Sequence, residues 1–329
     1  MSREGELWTT LSTIETANRP KIATKVIYIM SMSSPTFRQR LHSGPPLLLD
    51  GAIGTELNRR GVDTRLPLWS TWALLEAPEA LAAIHRDYVA AGAEILTTNT
   101  FRTHRRSLEK ADLGGQAADL TAQAVKIARK AAGERPGIWV AGSVAPLEDC
   151  YEPELVPADR ALKDEHREIV AHLQQAGVDL LLVETMNSIR EAVAATEAAL
   201  ETGLPTMLGL VCGREPFLLS GEPVGEATSV LGSLGPDLIL VNCTPTPDIH
   251  VSLREVMDNT ELPSGAYGNV GYADEEQGWV NTDSVEPAAY ARHAAGWLQM
   301  GARLVGSCCG TGPAHTAELR RLLDTMTAD

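Results

Sequence analysis

From residue 46 onward the chain alternates between short apolar runs and longer stretches whose apolar residues recur at helical spacing. The runs are LLLD (47–50), EILTTN (94–99), IWVAGS (138–143), DLLLVET (179–185), TMLGLVC (206–212), DLILVNC (237–243), GAYGN (265–269) and RLVGSC (303–308). Near-continuous apolar runs suit parallel strands buried on both faces. The segments between them, such as PEALAAIHRDYVAAGA and SIREAVAATEAALETG, read as amphipathic helices. AAGAEIL, QAGVDLL and QMGARLV repeat one pattern: helix, Gly, a small or branched residue, a charge, then strand. Eight such strand-helix units predict an α/β fold of the (β/α)8, TIM-type barrel class over residues 36–329. A doubly wound open sheet is the alternative, but no G-x-G-x-x-G follows the first run.

The runs end on Asp50, Asn99, Ser143, Glu184, Cys212, Cys243, Asn269 and Cys308, every one polar or sulfur-bearing. In a barrel these ends meet on one face, where active sites are built.

Residues 1–35 break the pattern. They show no sustained period, and the short KVIYIM is followed by no A-x-A cleavage site, so a signal peptide is not indicated. They are expected to form a disordered N-terminal extension, with Met30 and Met32 opening a stretch that reads as a natural start. The net charge of -15 disfavours nucleic-acid phosphate as a partner, and no apolar stretch reaches the ~20 residues of a membrane span. Oligomeric state is not legible.

Five widely spaced cysteines, an odd number, do not read as a disulfide framework; a reducing cytoplasm fits them better. Cys243 ends the sixth run and the adjacent Cys308 and Cys309 end the eighth, so only the seventh strand separates them in a closed barrel. With a turn at Gly310 swinging Cys309 inward, three thiols converge in a pattern that suits Zn²⁺ with one open tetrahedral position. A substrate thiol coordinated there would be a thiolate, ready to attack an electrophilic carbon. The competing account treats these cysteines as small buried hydrophobes. It is as good for Cys243 alone, and weaker for an adjacent pair plus a third.

Taken in order, these motifs resemble the zinc-dependent homocysteine S-methyltransferase family over about residues 46–325. LLLDGAIGTEL, PLWSTWALLEAPEAL, TTNTF, AGSVAP, LLLVETM, LVNC and GSCCGTGPAH fall in family order. The resemblance implies Zn²⁺ on Cys243, Cys308 and Cys309, with homocysteine sulfur as fourth ligand. It further implies Asp50, the backbone near Gly51, Thr98 of TTNTF, and Glu184 as contacts to the amino acid. Asn269 matches an Asn that approaches the metal when substrate is absent. Four departures stand out: Ser307 replaces a usual Gly, Gly268 replaces a Pro, Val270 stands where a small residue is usual, and PLEDCYEPELVP is unlike the donor-side loop of the best-known bacterial enzymes. Cys150 and Cys212 inherit no role.

The implied activity is methyl transfer from a cationic donor (S-methylmethionine, S-adenosylmethionine or a betaine) to a small-molecule thiol, homocysteine first. Tyr267, Tyr272, Trp279 and Trp69 are candidates to face that cation. Glu184, with no basic neighbour in sequence placed to meet it, fits the ammonium of an amino-acid thiol. A barrel hydrolase using Asp50 and Glu184 as acid and base, a methyltransferase for another thiol, and a non-catalytic zinc- or thiol-binding protein are the alternatives. A chain beginning at Met32 should keep the melting temperature and activity of the full chain in a thermal melt and turnover assay; a large loss would show that the missing segment packs on the barrel.

Overall fold

The computed structural model describes residues 35–326 apart from 134, 136 and 275–277. The expectation for residues 1–35 therefore falls, but for Pro35, outside the described residues.

The eight apolar runs form eight parallel strands: β1 (Leu47–Leu48), β2 (Ile95–Thr97), β3 (Trp139–Val144), β4 (Leu180–Met186), β5 (Thr206–Leu210), β6 (Leu238–Pro245), β7 (Ser264–Asn269) and, after a hairpin, β10 (Leu304–Ser307). The hairpin pairs β8 (Gly271–Asp274) with β9 (Gly278–Asn281) and has no counterpart in the sequence reading. The strand order is β1-β10-β7-β6-β5-β4-β3-β2, and a bridge from Leu49 to Ile95 returns β1 to β2. That closure distinguishes a (β/α)8 barrel from a doubly wound sheet. Each strand leads to an outer helix, from Pro78–Ala90 after β1 to Pro313–Met326 after β10. Among the described residues no helix is long and apolar enough to cross a membrane.

Alternation along the strands sorts the core into two layers. Leu47, Leu49, Ile95, Leu180, Leu182, Leu238, Leu240 and Leu304 fill the barrel interior. Leu48, Leu181, Val183, Ile239, Val241 and Val305 face the helices. The same parity, continued toward the strand ends, sends Thr97, Ser143, Glu184, Asn242 and Tyr267 inward above the apolar filling.

The repeated helix-Gly-x-charge-strand pattern has a physical use. Gly92, Gly177 and Gly301 take the left-handed conformation that ends each helix. The charge then meets backbone groups left unpaired at the strand starts. Asp179 accepts from Val140 N (2.7 Å) and Glu94 from Leu48 N (3.2 Å). Asp237, preceded by the similar Gly-Pro, accepts from Thr206 N (2.8 Å).

The opposite end from the strand termini is sealed by a helix the sequence reading did not foresee, Phe37–Ser43. A capping box on Thr36 and Gln39 starts it. Phe37 and Leu41 join the interior cluster, and Phe37 meets Trp139 edge-on at 5.8 Å. Arg38 pairs with Asp237 (2.6 Å), Arg40 with Glu94 (2.7 Å), and Arg303 donates to Leu41 O (2.8 Å). Leu41 is fully buried, so Leu41→Ala should lower stability in urea denaturation by about 2–5 kcal/mol. A loss well under 1 kcal/mol would show that this helix does not seal the interior.

Candidate active site

At the C-terminal ends of the strands lies a cavity of about 430 Å³. Its lining includes Asp50, Gly51, Thr98, Glu184, Cys243, Cys308 and Cys309, seven of the eight residues named from the sequence.

Strand alternation alone would point Cys243 at the helices, because Ile239 and Val241 point there. Instead β6 shifts register between Asn242 and Pro245, and Cys243 takes φ 53°. A left-handed non-glycine residue costs about 1–2 kcal/mol. Thr185, at the matching irregularity in β4, is likewise left-handed at φ 62°. Asn242 ties the two kinks together: its Oδ1 accepts from Thr185 N (3.0 Å) and its Nδ2 donates to Thr185 Oγ1 (2.8 Å). Gly209 leaves room for this, since a Cβ there would stand 2.6 Å from Asn242 Oδ1.

Cys308 continues the inward parity of Leu304. Cys309 follows it through the expected turn at Gly310, which has φ 83° and no space for a Cβ beside Val270. The three Sγ atoms lie within 4.8 Å of one another. Sulfurs ~2.3 Å from a tetrahedral Zn²⁺ stand about 3.8 Å apart, so the donor set fits that ion. Hydrogen bonds from Cys308 and Cys309 hold the Cys243 thiol well below its ordinary range, and sharing with Cys243 pushes both partners up. Such a cluster calls for a cation before all three can ionise.

Asn269 stands behind the cysteines rather than on the cavity wall. It donates to Cys243 O (2.8 Å) and accepts from Cys309 N (3.1 Å), bracing the two cysteine-bearing segments. Tyr151, from the loop after β3, places its hydroxyl 3.1 Å from Cys243 Sγ.

Asp50 and Glu184 are both buried, and among the described residues neither pairs with a cationic side chain. Arg190, on the helix that follows, turns away to Asp159. Thr97 donates to both Asp50 oxygens, each at 2.9 Å. Ser143 and Tyr267 donate to Glu184, at 2.5 and 2.8 Å. Burial nevertheless raises Asp50 to about 8 and Glu184 to about 7. Both carboxylates are thus fixed by hydrogen bonds while lacking a cationic side-chain partner among the described residues.

Thr98 uses its hydroxyl internally, accepting from Ser143 N at 3.1 Å, whereas its unnamed neighbour Thr97 holds Asp50. Parity with Ile95 was the signal for Thr97. Ser307, one of the departures, lines the cavity with its buried Oγ unpartnered. Tyr151 and Arg102, also on the wall, carried no sequence signal, since their placement depends on loop path. Trp69, Phe101 and Trp279 line the outer part; Tyr267 lies lower, against Glu184, and Tyr272 is not on the wall. Cys150 lines the cavity, while Cys212 packs in the outer core.

Comparison with known proteins agrees with this arrangement. Residues 47–323 match the family model described as homocysteine S-methyltransferase. The homocysteine S-methyltransferase of Escherichia coli K12 is 32% identical over 315 residues, covering 88% of this chain and 99% of that protein. A selenocysteine methyltransferase of Astragalus bisulcatus is 30% identical, covering 89% and 97%. The crystal structure of the Escherichia coli homocysteine methyltransferase MmuM in its metallated form superposes with a TM-score of 0.75 at 30% identity, covering 85% of this chain and 97% of that one. With its barrel, its cysteine triad and a match along nearly the whole described chain, this protein belongs to the homocysteine S-methyltransferase family and is a methyltransferase.

Proposed function

We propose that the enzyme transfers a methyl group from a cationic donor to the thiol of homocysteine, giving methionine, with Zn²⁺ held by Cys243, Cys308 and Cys309. One observation carries this reading: three convergent thiols open onto the same cavity as two buried carboxylates without a counter-charge. Sulfur at one end and an ammonium at the other describe an amino-acid thiol. Family membership sets aside the hydrolase and purely binding alternatives.

Zinc in this site would supply the acceptor sulfur as a thiolate at neutral pH. The chain's own groups do the rest. Asp50 and Glu184, oriented by Thr97, Ser143 and Tyr267, fix the ammonium and so aim the sulfur. Binding of that ammonium favours the ionised carboxylates and draws their raised pKa values down. The sulfur then forms a bond to the methyl carbon while the carbon–heteroatom bond of the donor breaks, its electron pair returning to the cationic sulfur or nitrogen. Charge is neutralised as the step proceeds, which a low-dielectric site favours. The aromatic faces of Trp69, Phe101 and Trp279 suit the cationic donor before transfer. All five cysteines are free thiols, which suits a reducing cytoplasm.

The direct test is methionine formation from homocysteine across a panel of methyl donors; no product with any donor defeats the reading. Purified protein should hold about one zinc per chain by metal analysis. Cys243→Ala, Cys308→Ala and Cys309→Ala should each lose it, while Cys150→Ala and Cys212→Ala keep it. Because the thiols must shed protons to bind, retention should weaken as pH falls. The metal-free barrel should stay folded, and full occupancy in Cys309→Ala would sink the three-thiolate site.

Glu184→Gln should retain zinc and fold yet weaken homocysteine use by about 2–4 kcal/mol, the scale for breaking a desolvated charge pair. A thiol lacking the amino group should be a poor substrate and be little affected by the substitution. Normal homocysteine kinetics in the variant would reject the assignment of Glu184 to the ammonium.

A further inference from the structure

Arg102 lines the cavity, its side chain only 11% exposed, yet it makes no hydrogen bond among the described residues. Its Nε is buried without a partner. Among the described residues its one ionic neighbour is Asp149, at 3.6 Å, too far for a hydrogen bond. Asp149 faces Arg102 with Oδ2, while its Oδ1 accepts from Tyr151 N (3.0 Å) within its own turn. Arginines a few residues on are treated differently. Arg105 is forked onto Glu168 and Arg106 onto Glu165, with contacts of 2.9 and 2.7 Å. A guanidinium has five donors in a planar fork that matches a carboxylate. Burying one against a cavity with its donors unmatched is costly unless an anion arrives.

The position indicates which reactant brings the anion. On the proposed reading, the acceptor is engaged on the buried floor, its sulfur at the cysteines and its ammonium at Asp50 and Glu184. Arg102 belongs to the rim: Asp149 beside it is 38% exposed. It follows Phe101, whose ring meets Trp69 edge-on at 5.9 Å in the aromatic part of the wall. A donor entering over the acceptor would present its cationic methyl centre to those rings. We propose that Arg102 binds the carboxylate of the methyl donor and so makes this enzyme select donors that carry one. This rests on the methyl-transfer reading.

The experiment compares S-methylmethionine with trimethylsulfonium, a methyl donor without a carboxylate, in the zinc-loaded enzyme with homocysteine. Arg102→Gln should lower the ratio of kcat/KM for S-methylmethionine over trimethylsulfonium by about thirtyfold or more, with KM for homocysteine unmoved. Calorimetric binding of S-methylmethionine, which needs no turnover, should weaken in parallel. Asp149→Asn keeps an oxygen for the Tyr151 turn but removes the competing charge, so it should tighten that binding about two- to fivefold. Opposite signs in the two variants separate a ligand-binding arginine from a structural ion pair, which both substitutions would harm alike. Unchanged S-methylmethionine binding in Arg102→Gln, a raised homocysteine KM in place of a donor effect, or equal losses in both variants would overturn the proposal. If the wild type transfers no methyl group from any donor while the binding results hold, the activity reading falls and the carboxylate-binding role of Arg102 stands.

Discussion

Three sulfur atoms must meet at one point, although the strands that carry them do not point them there. Regular alternation aims one residue of any neighbouring pair away from the barrel axis. Cys243 escapes this by a register shift and a left-handed backbone, and Cys309 by the turn at Gly310. The left-handed Cys243 is locally unfavourable and needs surrounding support. Asn242 bonded to Thr185 supplies it from β4, and Asn269 supplies it between the cysteine segments. The space at Gly209 and the absence of a Cβ at Gly310 follow from the same requirement.

The thiol cluster also sets the electrostatics around it. A site meant to hold a cation among thiolates has little use for basic side chains nearby, and Asp50 and Glu184 are left to hydroxyl and backbone donors alone. Burial raises both carboxylates toward neutral pH. Arg102, on the same cavity wall, stands against the exposed Asp149.

The other end of the barrel solves a backbone problem. Acidic residues at strand starts take up N–H groups that the parallel ladder leaves unpaired, and the arginines of Phe37–Ser43 neutralise two of those acids. That helix also closes the apolar interior with Phe37 and Leu41.

The sequence by itself determined the eight parallel strands, because runs apolar on both faces have few other places to go. It also determined the cysteine set, because an adjacent pair plus a third at a nearby strand end has a specific use. Asp50 and Glu184 were legible as strand-end carboxylates, and Gly310 as the turn. Only the tertiary structure decided which threonine of TTNTF holds Asp50, that Asn269 braces the cysteines from behind, and that Cys212 stays in the outer core. It alone placed Tyr151 beside Cys243 and Arg102 on the cavity wall, and revealed the sealing helix and the β8–β9 hairpin. The division has one cause. Burial periodicity is written locally in the chain, whereas loop paths, short amphipathic pieces and departures from alternation are fixed by contacts between residues far apart in sequence.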